Sequence, residues 1–559
     1  MGFADYTSRF TTGLCLEHVY HWERTQPEAP WLTQPLGGGK VVTLSWREGV
    51  AEARRLATYL ASLELPAGSS IGLLSKGTAY WLIADLAIFL AGHVSVPMYS
   101  TSSADMVRQI LDHSDAKLLF VGKLDAWEPL RGAITPGLPL VRMPLAPEGV
   151  DGARWEELVT AHAPLAGHPV RGPDELATIV YTSGSTGKPK GVMHTHGSIA
   201  RTCIGIGDVY PTIGPGHRLL SHLPLAHVAE RLVAGIGSMF AGFHVFFTES
   251  LQTFPADLQR ARPTLFFTVP RLWQKFMLAV SEKVPPKKLA RMLRVPLLGR
   301  YVRNKLLRAL GLDAVEFAVT GSAPIPPSVL EWYARLGLHI LDGYGMTEDF
   351  GYSHGTRPGR SRIGYCGEPQ PGVERRIDEN GEVLVKSPGA MLGYFKEPEL
   401  TAQSFTEDRF FRTGDRGEID ELGRLRITGR VKELFKTSKG KYIAPVPIEH
   451  ELASHPGVEA VCVTGAGRVQ PFALVLLGAD VMTGDRDALS AGLAAHLETV
   501  NARLESHEKL AFCVVVKEPW LPDNGLLTPT LKIKRGEIER HYEPHVDGWY
   551  ADGRPLLWQ

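Results

Sequence analysis

Short apolar runs alternate with segments of helical length along most of this chain, and this alternation constrains the fold more than any other sequence feature. A short apolar run bounded by turn residues favours a buried strand. Helix-length segments between such runs favour parallel pairing, because a parallel connection has to cross back over the sheet. We therefore predict parallel α/β layers. The predicted strands are Ile71–Leu74, Lys117–Val121, Ala177–Tyr181, Phe317–Thr320 and His339–Leu341.

One helix start is visible in the sequence. Ser45 and Glu48 have the spacing of a capping box, in which each residue satisfies a backbone N–H of the other. The apolar positions that follow recur at helical spacing. They are Val50, Ala53, Leu56, Ala57, Leu60 and Ala61.

The pattern changes past about residue 360. Glu382–Lys386 and Leu425–Thr428 are short strands between Gly- and Asp-rich turns, which predicts a small β subdomain. A new α+β pattern then begins near residue 431. We predict an α/β fold with a large N-terminal domain (residues 1–430), of layered α/β subdomains plus the β subdomain, hinged near Gly429–Lys432 to a smaller α+β domain (residues 431–559). The elements of that second domain are strands Ala460–Thr464, Phe472–Leu477 and Phe512–Val516 and helix Leu489–Leu504.

Composition excludes some classes of protein. The 559 residues include 60 basic and 60 acidic side chains, so the balanced charge argues against a general nucleic-acid binder. The five cysteines show no CxxC spacing, which predicts buried thiols in a reducing compartment. Met1–Pro30 lacks the apolar segment of a signal peptide. We expect a cytoplasmic location, with peripheral contact to the inner membrane face left open, and the oligomeric state is open as well.

Two apolar stretches could be mistaken for membrane spans. Tyr80–Tyr99 contains Asp85 and His93, and Leu232–Phe247 is too short and contains three glycines. Because a span needs about 20 predominantly apolar residues, we interpret both as core elements.

A loop rich in glycine and hydroxyl residues follows the predicted strand Ala177–Tyr181. Its glycines let the backbone turn tightly and present N–H groups to an anion, while its hydroxyls and two lysines add donors and charge, which suits a polyphosphate. It is not a Walker A loop, because Pro189 stands where that motif needs its second glycine. A Gly/Ser linker is the alternative, and the strand, the lysines and the proline disfavour it. The loop reads Thr182, Ser183, Gly184, Ser185, Thr186, Gly187, Lys188, Pro189, Lys190, Gly191.

Five later segments complete an ordered set of motifs, namely Gly321–Pro324, Asp342–Glu348, Arg412–Asp415, Gly429–Glu433 and Leu527–Lys534. With the loop, they resemble the motifs of adenylate-forming enzymes: acyl-CoA synthetases, adenylation domains of peptide synthetases, and luciferases. The resemblance extends from about residue 40 to residue 540. Leu223–Arg231, Met391–Phe395 and Leu531 further resemble the long-chain fatty acyl-CoA synthetase branch, although Arg231 departs from the aromatic gate of some relatives.

The resemblance implies a two-step reaction with ATP, Mg²⁺ and coenzyme A. A carboxylate attacks ATP to give an acyl-adenylate and pyrophosphate, and the coenzyme A thiol then displaces AMP. Because the first step joins two anions, it depends on cations aimed at the α-phosphate. Lys532 is implied as the catalytic cation and Glu348 as the Mg²⁺ ligand, with Thr182 as hydroxyl partner. An exposed lysine in a basic tail and a helix-start glutamate are the structural alternatives.

The same resemblance implies the nucleotide-binding residues. Asp415 would accept hydrogen bonds from the ribose hydroxyls, or else be a simple turn-former, and Arg430 would reach the ribose or phosphate side. Lys432 and Lys436 are further contacts, or equally solvated charges. The other implied ATP contacts are Ser183, Gly184, Ser185, Thr186, Gly187 and Lys190 in the loop and Gly321, Ser322, Asp342, Gly343, Tyr344, Gly345, Met346 and Thr347 around the adenine, where Tyr344 would stack.

Two further sites are implied. His227 would lie at the entrance of the acyl pocket, with a core or helix-start histidine as the alternative. Lys439 and Gly440 would meet coenzyme A when the small domain rotates about Lys432 between the two steps. A solvated run of lysines is the alternative for this last segment.

Residues 281–312 carry nine basic side chains and one acidic side chain, a net charge of +8 in a neutral chain. Leucines and valines lie between the charges. The segment is a candidate surface for anionic lipid. A solvated helical hairpin and a site for coenzyme A phosphates are the alternatives.

The motifs and the family that they resemble together imply an ATP-dependent acyl-CoA ligase for medium- or long-chain fatty acids. The alternatives are an adenylating ligase that passes the acyl group to a carrier protein or an amine, a luciferase-like oxygenase, and a non-catalytic nucleotide-binding protein.

Overall fold

The computed structural model describes residue 10 and residues 12–183, 189–478, 481–483, 485–521, 524–528 and 532–559. The chain divides into two compact units. The first comprises Met1–Arg375 and Val385–Phe411, and the second comprises Arg376–Leu384 and Arg412–Gln559. The boundary between residues 430 and 431 and the hinge at Lys432 stay predictions.

The first unit contains two large sheets. The nine-stranded sheet has the order Glu368–Pro369, His354–Gly355, Ile340–Tyr344, Phe317–Gly321, Leu265–Thr268, Arg218–Ser221, His244–Phe247, Pro30–Gly37, Lys40–Ser45. The eight-stranded sheet has the order Gly393–Tyr394, Pro189–Thr195, Leu176–Ser183, Val94–Met98, Ser70–Leu74, Leu118–Val121, Leu140–Arg142, Ala153–Arg154. All five predicted strands of the α/β region are confirmed within these sheets, with ends shifted by one or two residues in most cases.

Both sheets are mixed, whereas the sequence predicted parallel layers. In one, Pro30–Gly37 pairs antiparallel with Lys40–Ser45. In the other, Leu176–Ser183 pairs antiparallel with Pro189–Thr195, although it pairs parallel with Val94–Met98 on its other side. The physical reason is connection length, since a loop of a few residues can close a hairpin but cannot cross over a sheet.

The helices of the first unit occupy the segments between strands. They are Cys15–Thr25, Trp46–Ser62, Ala79–Ala91, Ala104–Ser114, Glu128–Arg131, Trp155–Ala161, His196–Val209, Val228–Glu230, Gly237–Ala241, Phe254–Ala261, Pro270–Lys283, Pro286–Leu293, Pro296–Ala309, Pro327–Arg335 and Pro398–Gln403, with a π-helical turn Arg231–Ile236 and a 3₁₀ turn Thr347–Asp349.

The predicted capping box is present. Ser45 is the N-cap of helix Trp46–Ser62, and its Oγ accepts from the Glu48 N–H while Glu48 accepts from the Ser45 N–H at 2.8 Å. All the predicted apolar positions except Ala61, which is exposed, are buried on the inner face of this helix.

Both apolar stretches are core elements, as predicted. Helix Ala79–Ala91 is almost wholly buried, with Thr78 as its N-cap and Gly92, which has a positive φ of 78°, as its C-cap. Leu232–Phe247 supplies the π-helical turn, a short helix and a strand to the same core. Among the described residues, no helix combines the length and hydropathy needed to cross a bilayer.

The second unit has its own sheet and core. The strand order is Val458–Thr464, Phe472–Leu477, Cys513–Val516, Leu556–Trp558, and both faces of the sheet are covered. Side chains alternate between the faces, with Val461, Val475 and Val515 on one side and Cys462 and Val514 on the other. Helices Pro445–Leu452 and Arg486–Asn501 cover the first face, and Arg535–Asp552 covers the second. The predicted α+β pattern is therefore confirmed.

Smaller elements complete the chain. A four-stranded sheet, most of which belongs to the second unit, has the order Glu374–Ile377, Glu382–Lys386, Phe411–Ile419, Leu425–Arg430 and confirms the predicted β subdomain strands. A two-stranded hairpin and two 3₁₀ turns remain. They are Phe435–Lys436 with Tyr442–Ile443, and Val431–Glu433 and Val481–Thr483. Four of the five cysteines are buried and Cys366 is partly buried, and all five are thiols rather than disulfides.

Candidate functional site

The glycine-rich loop is anchored on two paired strands. Thr182 lies opposite Lys190, and Ser183 lies opposite Pro189, at the end of the antiparallel pair where the loop joins the two strands. The intervening Gly184, Ser185, Thr186 and Gly187, with Lys188, lie outside the described residues, as does the Ser183 side chain. The sequence therefore holds both ends of the loop in one sheet.

Lys190 is connected to Glu348 through a tyrosine that the sequence analysis gave no role. The Lys190 ammonium lies 5.6 Å from the centre of the Tyr394 ring, and the Tyr394 hydroxyl donates to Glu348 Oε1 at 2.7 Å. Burial, and then the charge of Glu348, raise the pKa of Tyr394 well above its usual range, so the hydroxyl stays protonated and keeps donating. The sequence contained a signal that could have identified this tyrosine, because Tyr394 belongs to the motif Met391–Phe395.

The turn that carries Glu348 is fixed by its neighbours. Asp349 accepts from the N–H groups of Met346 at 2.9 Å and Tyr352 at 3.1 Å, and His194 Nε2 lies 2.7 Å from the Thr347 carbonyl. Burial raises the pKa of Asp349 to about 7, while the bond from Met346 opposes that shift. These contacts hold Glu348 on a 3₁₀ turn directly after a sheet strand.

Gly345 is required at the start of this turn by a close backbone approach. A Cβ at Gly345 would lie 2.5 Å from the backbone carbon of Gly351, which itself has a positive φ of 74°. Any other residue would push the two strands of the turn apart.

The predicted adenine segments meet at the carboxyl ends of two adjacent parallel strands. Gly321 is the register partner of Gly343, and Thr320 that of Asp342. Ser322 follows in the left-handed region with a φ of 67°. Desolvation by the surrounding protein raises the pKa of Asp342 to about 8, and the Gly343 N–H acts in the opposite direction. Carboxyl ends of neighbouring parallel strands are where open α/β sheets bind ligands.

Tyr344 ends the second of these strands. Its ring centre lies 6.2 Å from that of His354, which faces it across an antiparallel pair. Met346 and Thr347 follow on the way to Glu348. The structure thus places the predicted nucleotide residues from Gly321 to Glu348 along one continuous edge.

His227 is the N-cap of helix Val228–Glu230. Its Nδ1 accepts from the Ala229 N–H at 3.2 Å, and the side chain is partly buried. The helix-start alternative therefore describes its position, while its place in an acyl pocket stays a prediction.

In the second unit, three predicted residues come together. Asp415 and Arg430 are register partners on antiparallel strands, and Arg430 Nε lies 3.0 Å from Asp415 Oδ1. Lys532 is within electrostatic range of both. Residues 117 positions apart in sequence thus form one charged group, here called the lysine cluster (Asp415, Arg430 and Lys532).

The environment lowers the pKa of Lys532. Desolvation is the largest cause and Arg430 acts in the same direction, while Asp415 opposes them. Residue 532 is exposed to water when all its atoms are counted. Its ammonium nevertheless has enough protein around it to disfavour the charged form. Because the positive neighbour outweighs the negative one in this environment, an added anion would stabilise the lysine.

A short hairpin presents Lys532. Its N–H donates to Thr528 Oγ1 at 3.0 Å, and its carbonyl accepts from the Thr528 N–H at 2.8 Å. Residues 529–531 lie outside the described residues.

Arg535, three residues after Lys532, begins the last helix and was overlooked by the sequence analysis. It binds Glu449 through both terminal nitrogens, donates to the Val463 carbonyl at 2.7 Å, and lies 3.4 Å from Glu433. Glu433 is the neighbour of Lys432, the predicted hinge. The arginine therefore ties the lysine-bearing segment to the segment that contains the predicted hinge.

The remaining predicted residues of the second unit are separate from the lysine cluster in what the structure records. Lys432 is exposed on the turn Val431–Glu433. Lys436 lies over the Tyr442 ring at 4.7 Å, on the hairpin whose exposed end contains Lys439 and Gly440. Gly440 has a φ of 75°, which that turn requires.

Residues that could hold a divalent cation are few. Among the described residues, no three His, Cys, Asp or Glu side chains form a metal-binding group. Glu348 and Thr182 nevertheless supply the carboxylate and hydroxyl oxygens that suit Mg²⁺, which commonly binds one or two protein oxygens together with substrate phosphates.

Comparison with known proteins gives a consistent result. A family model described as "AMP-binding enzyme" matches residues 19–395, and one described as "AMP-binding enzyme C-terminal domain" matches residues 433–554. A protein of Mycobacterium bovis named long-chain-fatty-acid–CoA ligase FadD15 is 30% identical, with 95% of this chain and 96% of that protein covered. Human long-chain-fatty-acid–CoA ligase 1 is 29% identical, with 86% and 78% covered.

Solved structures agree on the fold. The adenylation domain of a carboxylate reductase from Mycobacterium chelonae superposes with a TM-score of 0.81 at 22% identity, covering 98% of this chain and 96% of that domain. At this identity the likeness describes the architecture, a large α/β domain followed by a smaller C-terminal domain.

Proposed function

The chain belongs to the AMP-binding enzyme family, whose members activate acids as adenylates, and from that premise we propose that it is an ATP-dependent acyl-CoA ligase for medium- or long-chain fatty acids. The curated relatives, named as long-chain-fatty-acid–CoA ligases, support the acid class and the thiol acceptor. The lysine cluster is the observation that carries the catalytic part of the proposal.

Lys532 is the catalytic cation of the first step. The fatty acid carboxylate oxygen attacks the α-phosphorus of ATP, and the bond from that phosphorus to the β-phosphate oxygen breaks to release pyrophosphate. Lys532 lies between the two anions and reduces their repulsion, while Asp415 accepts from the ribose hydroxyls and Arg430 steadies Asp415. The lowered pKa of Lys532 supports this role, because the ammonium gains stability when anionic substrates arrive.

The first unit supplies the nucleotide site. The edge from Gly321 to Tyr344 holds the adenine, with Tyr344 as the stacking ring, and Gly345, Met346 and Thr347 continue that edge. Thr182, Lys190 and the rest of the glycine-rich loop hold the phosphates. Glu348, with Thr182, would hold Mg²⁺, which neutralises phosphate charge when bound.

Tyr394 is a positioning residue in this arrangement. Its hydroxyl orients one oxygen of Glu348, and its ring lies beside the Lys190 ammonium. One side chain thus relates the carboxylate to the phosphate-binding lysine.

The second step uses coenzyme A. Its thiol sulfur attacks the acyl carbon, the bond from that carbon to the AMP phosphate oxygen breaks, and the thiol proton leaves to solvent. Lys439 and Gly440 contact the incoming coenzyme A, and rotation about Lys432 brings their hairpin to the adenylate. Lys436 adds a nucleotide contact, and His227 lies at the entrance of the acyl pocket.

The test uses Lys532→Ala with Lys534→Ala as the matched control two residues along the same segment. We expect Lys532→Ala to lower acid-dependent pyrophosphate exchange by at least about 100-fold, since one lost charge-stabilising group costs roughly that much. Thioesterification of supplied acyl-AMP should be largely retained, and Lys534→Ala should be active in both assays. Exchange at the unmodified rate in Lys532→Ala would refute the assignment.

A second measurement tests acid and acceptor. Pyrophosphate exchange across carboxylic acids of graded length should rise toward medium and long chains. AMP release that requires coenzyme A supports the ligase, whereas equal release without it favours a carrier protein or an amine as acceptor.

A further inference from the structure

The basic segment 281–312 folds as a helical hairpin on the first unit. Its helices Pro286–Leu293 and Pro296–Ala309 pack through a small core that contains Val280, Leu289 and Val302. The two helices approach closely where they join, because a Cβ at Gly299 would lie 2.6 Å from the Leu293 carbonyl oxygen. The hairpin is therefore ordered, with a buried inner face and an exposed outer face.

Large apolar side chains are exposed at its turn. Leu297 is 85% exposed and Tyr301 63%, with Val295 at 50% and Leu298 at 41%. Leu297 and Tyr301 are four residues apart, so they share one face of their helix. Other exposed large apolar residues in the described part of the chain occur singly or in pairs, and a cluster of four marks an interaction surface.

The charge around this apolar cluster is positive. Arg291, Arg294, Arg300 and Lys305 are all exposed, and Lys305 lies over the Tyr301 ring at 5.9 Å. Of the nine basic side chains of the segment, Arg308 is the one within ion-pair distance of a carboxylate, that of Asp313, among the residues that the structure describes. Most of the local charge of +8 in a neutral chain is thus left for an anionic counterpart.

We propose that this hairpin docks the protein on a membrane surface that contains anionic phospholipids. Leu297, Leu298 and Tyr301 enter the headgroup region, and the surrounding arginines and lysines bind lipid phosphates, with their long stems along the apolar boundary. The combination of exposed apolar and basic side chains favours lipid over nucleic acid as the ligand. Binding of nucleic-acid phosphates would involve the basic side chains and would not explain the exposed leucines. The same combination also favours lipid over the few phosphates of coenzyme A. The inference is independent of the proposed function and adds a site of action to it.

The test is sedimentation of the full chain with vesicles. The probes are vesicles of phosphatidylcholine alone and vesicles in which roughly a third of the lipid is phosphatidylglycerol. We expect binding to the anionic vesicles that weakens as salt rises, since exposed charges are screened. Absence of binding to anionic vesicles at low salt overturns the proposal.

Two variants separate its components. Arg291→Gln, Arg294→Gln and Arg300→Gln together should weaken binding on the order of 100-fold, at about a factor of five per charge. Leu297→Ser with Tyr301→Ser should weaken it by about tenfold or more through lost apolar insertion. All five residues are exposed, so the fold should be retained.

Matched controls come from elsewhere in the chain. Leu251, 90% exposed, is changed to Ser, and the charge control combines Lys40→Gln, Lys509→Gln and Lys517→Gln at exposed positions. Both controls should bind like the unmodified protein. If the leucine–tyrosine variant binds vesicles normally, or if a short RNA competes fully for the surface, the lipid assignment is wrong. Activity on a water-soluble acid should be unchanged in every variant, so a failure here is distinct from failure of the proposed ligase.

Discussion

Two buried arginines, one in each unit, lie close in sequence to predicted site residues and are paired in different ways. Arg231 is fully enclosed and pairs with a single carboxylate, that of Asp85, at 2.6 Å, while also donating to Thr178 in the strand that leads into the glycine-rich loop. Arg535 is 9% exposed and lies between two carboxylates, Glu449 and Glu433. Each arginine lies within four residues of a predicted catalytic side chain.

The difference lies in what remains when the arginine is lost. Asp85 is 1% exposed and would be an uncompensated charge in an apolar core. Glu449 would still accept from the Val463 N–H at 2.7 Å, and Glu433 is one-third exposed to water. A fully enclosed pair therefore makes the fold depend on each partner, whereas a partly hydrated network shares that dependence.

The largest effect is expected for Arg231→Met. It should lower the free energy of unfolding by about 3–5 kcal/mol, because Asp85 stays buried without a counter-charge. In calorimetry, the transition of the first unit should move down while that of the second unit stays in place. The double variant Asp85→Leu with Arg231→Met is the control, and it should recover much of the loss. If the single variant were as stable as the unmodified chain, the contrast between the two arginines would be lost.

A smaller loss, about 2–4 kcal/mol, is expected for Arg535→Met in the second unit. The same variant should also slow acyl-adenylate formation, because it releases the helix start that follows Lys532. Arg540→Met, at an exposed position on the same helix, should change neither property. A stability loss with fully retained pyrophosphate exchange would show that Arg535 supports the fold but does not position Lys532.

The smallest effect concerns Glu230, the chain neighbour of Arg231. Its buried carboxyl binds Ser221 Oγ and the His222 N–H instead of the arginine, and burial raises its pKa to about 7, while the Ser221 bond opposes that shift. Between its ordinary pKa of about 4.5 and 7, the folded state therefore holds more protons than the unfolded state.

The contribution of the Glu230 carboxyl to the free energy of unfolding is fully present below pH 4.5 and is lost as the pH rises through 7. We expect Glu230→Gln to remove up to about 2 kcal/mol of this pH dependence, since local relaxation reduces the cost of ionising a buried group. Urea unfolding at intervals from pH 4.5 to 8 measures it. Glu249→Gln provides a partly exposed comparison, and an unchanged slope in Glu230→Gln would contradict the expectation.

Local patterns made most of the fold predictable. The capping box at Ser45 and strands such as Glu382–Lys386 and Phe472–Leu477 were predicted because their signals lie within a few consecutive residues. The antiparallel pairing of Leu176–Ser183 was missed, although the short stretch before Pro189 already excluded a parallel crossover.

Long-range pairs were not predictable in the same way. Arg231 and Asp85 are 146 residues apart, and Arg535 and Glu449 are 86 apart, so no local pattern joins them. The candidate site is intermediate. Its motif residues could be identified from the sequence. The hydrogen bond from the Tyr394 hydroxyl to Glu348, however, depends on how the edge strand that contains Tyr394 pairs with its neighbour, and no local sequence pattern predicts that pairing.

The close approach of Gly345 to Gly351 has a consequence for how this site can change over time. Since a methyl group at position 345 has no space beside the opposing backbone, any substitution there would displace the backbone of the turn. Mutational drift can exchange the acid at position 348 for another side chain, but it cannot easily move the point from which that side chain projects. New chemistry at this edge would therefore arise by changing which group is presented, on a backbone that stays the same.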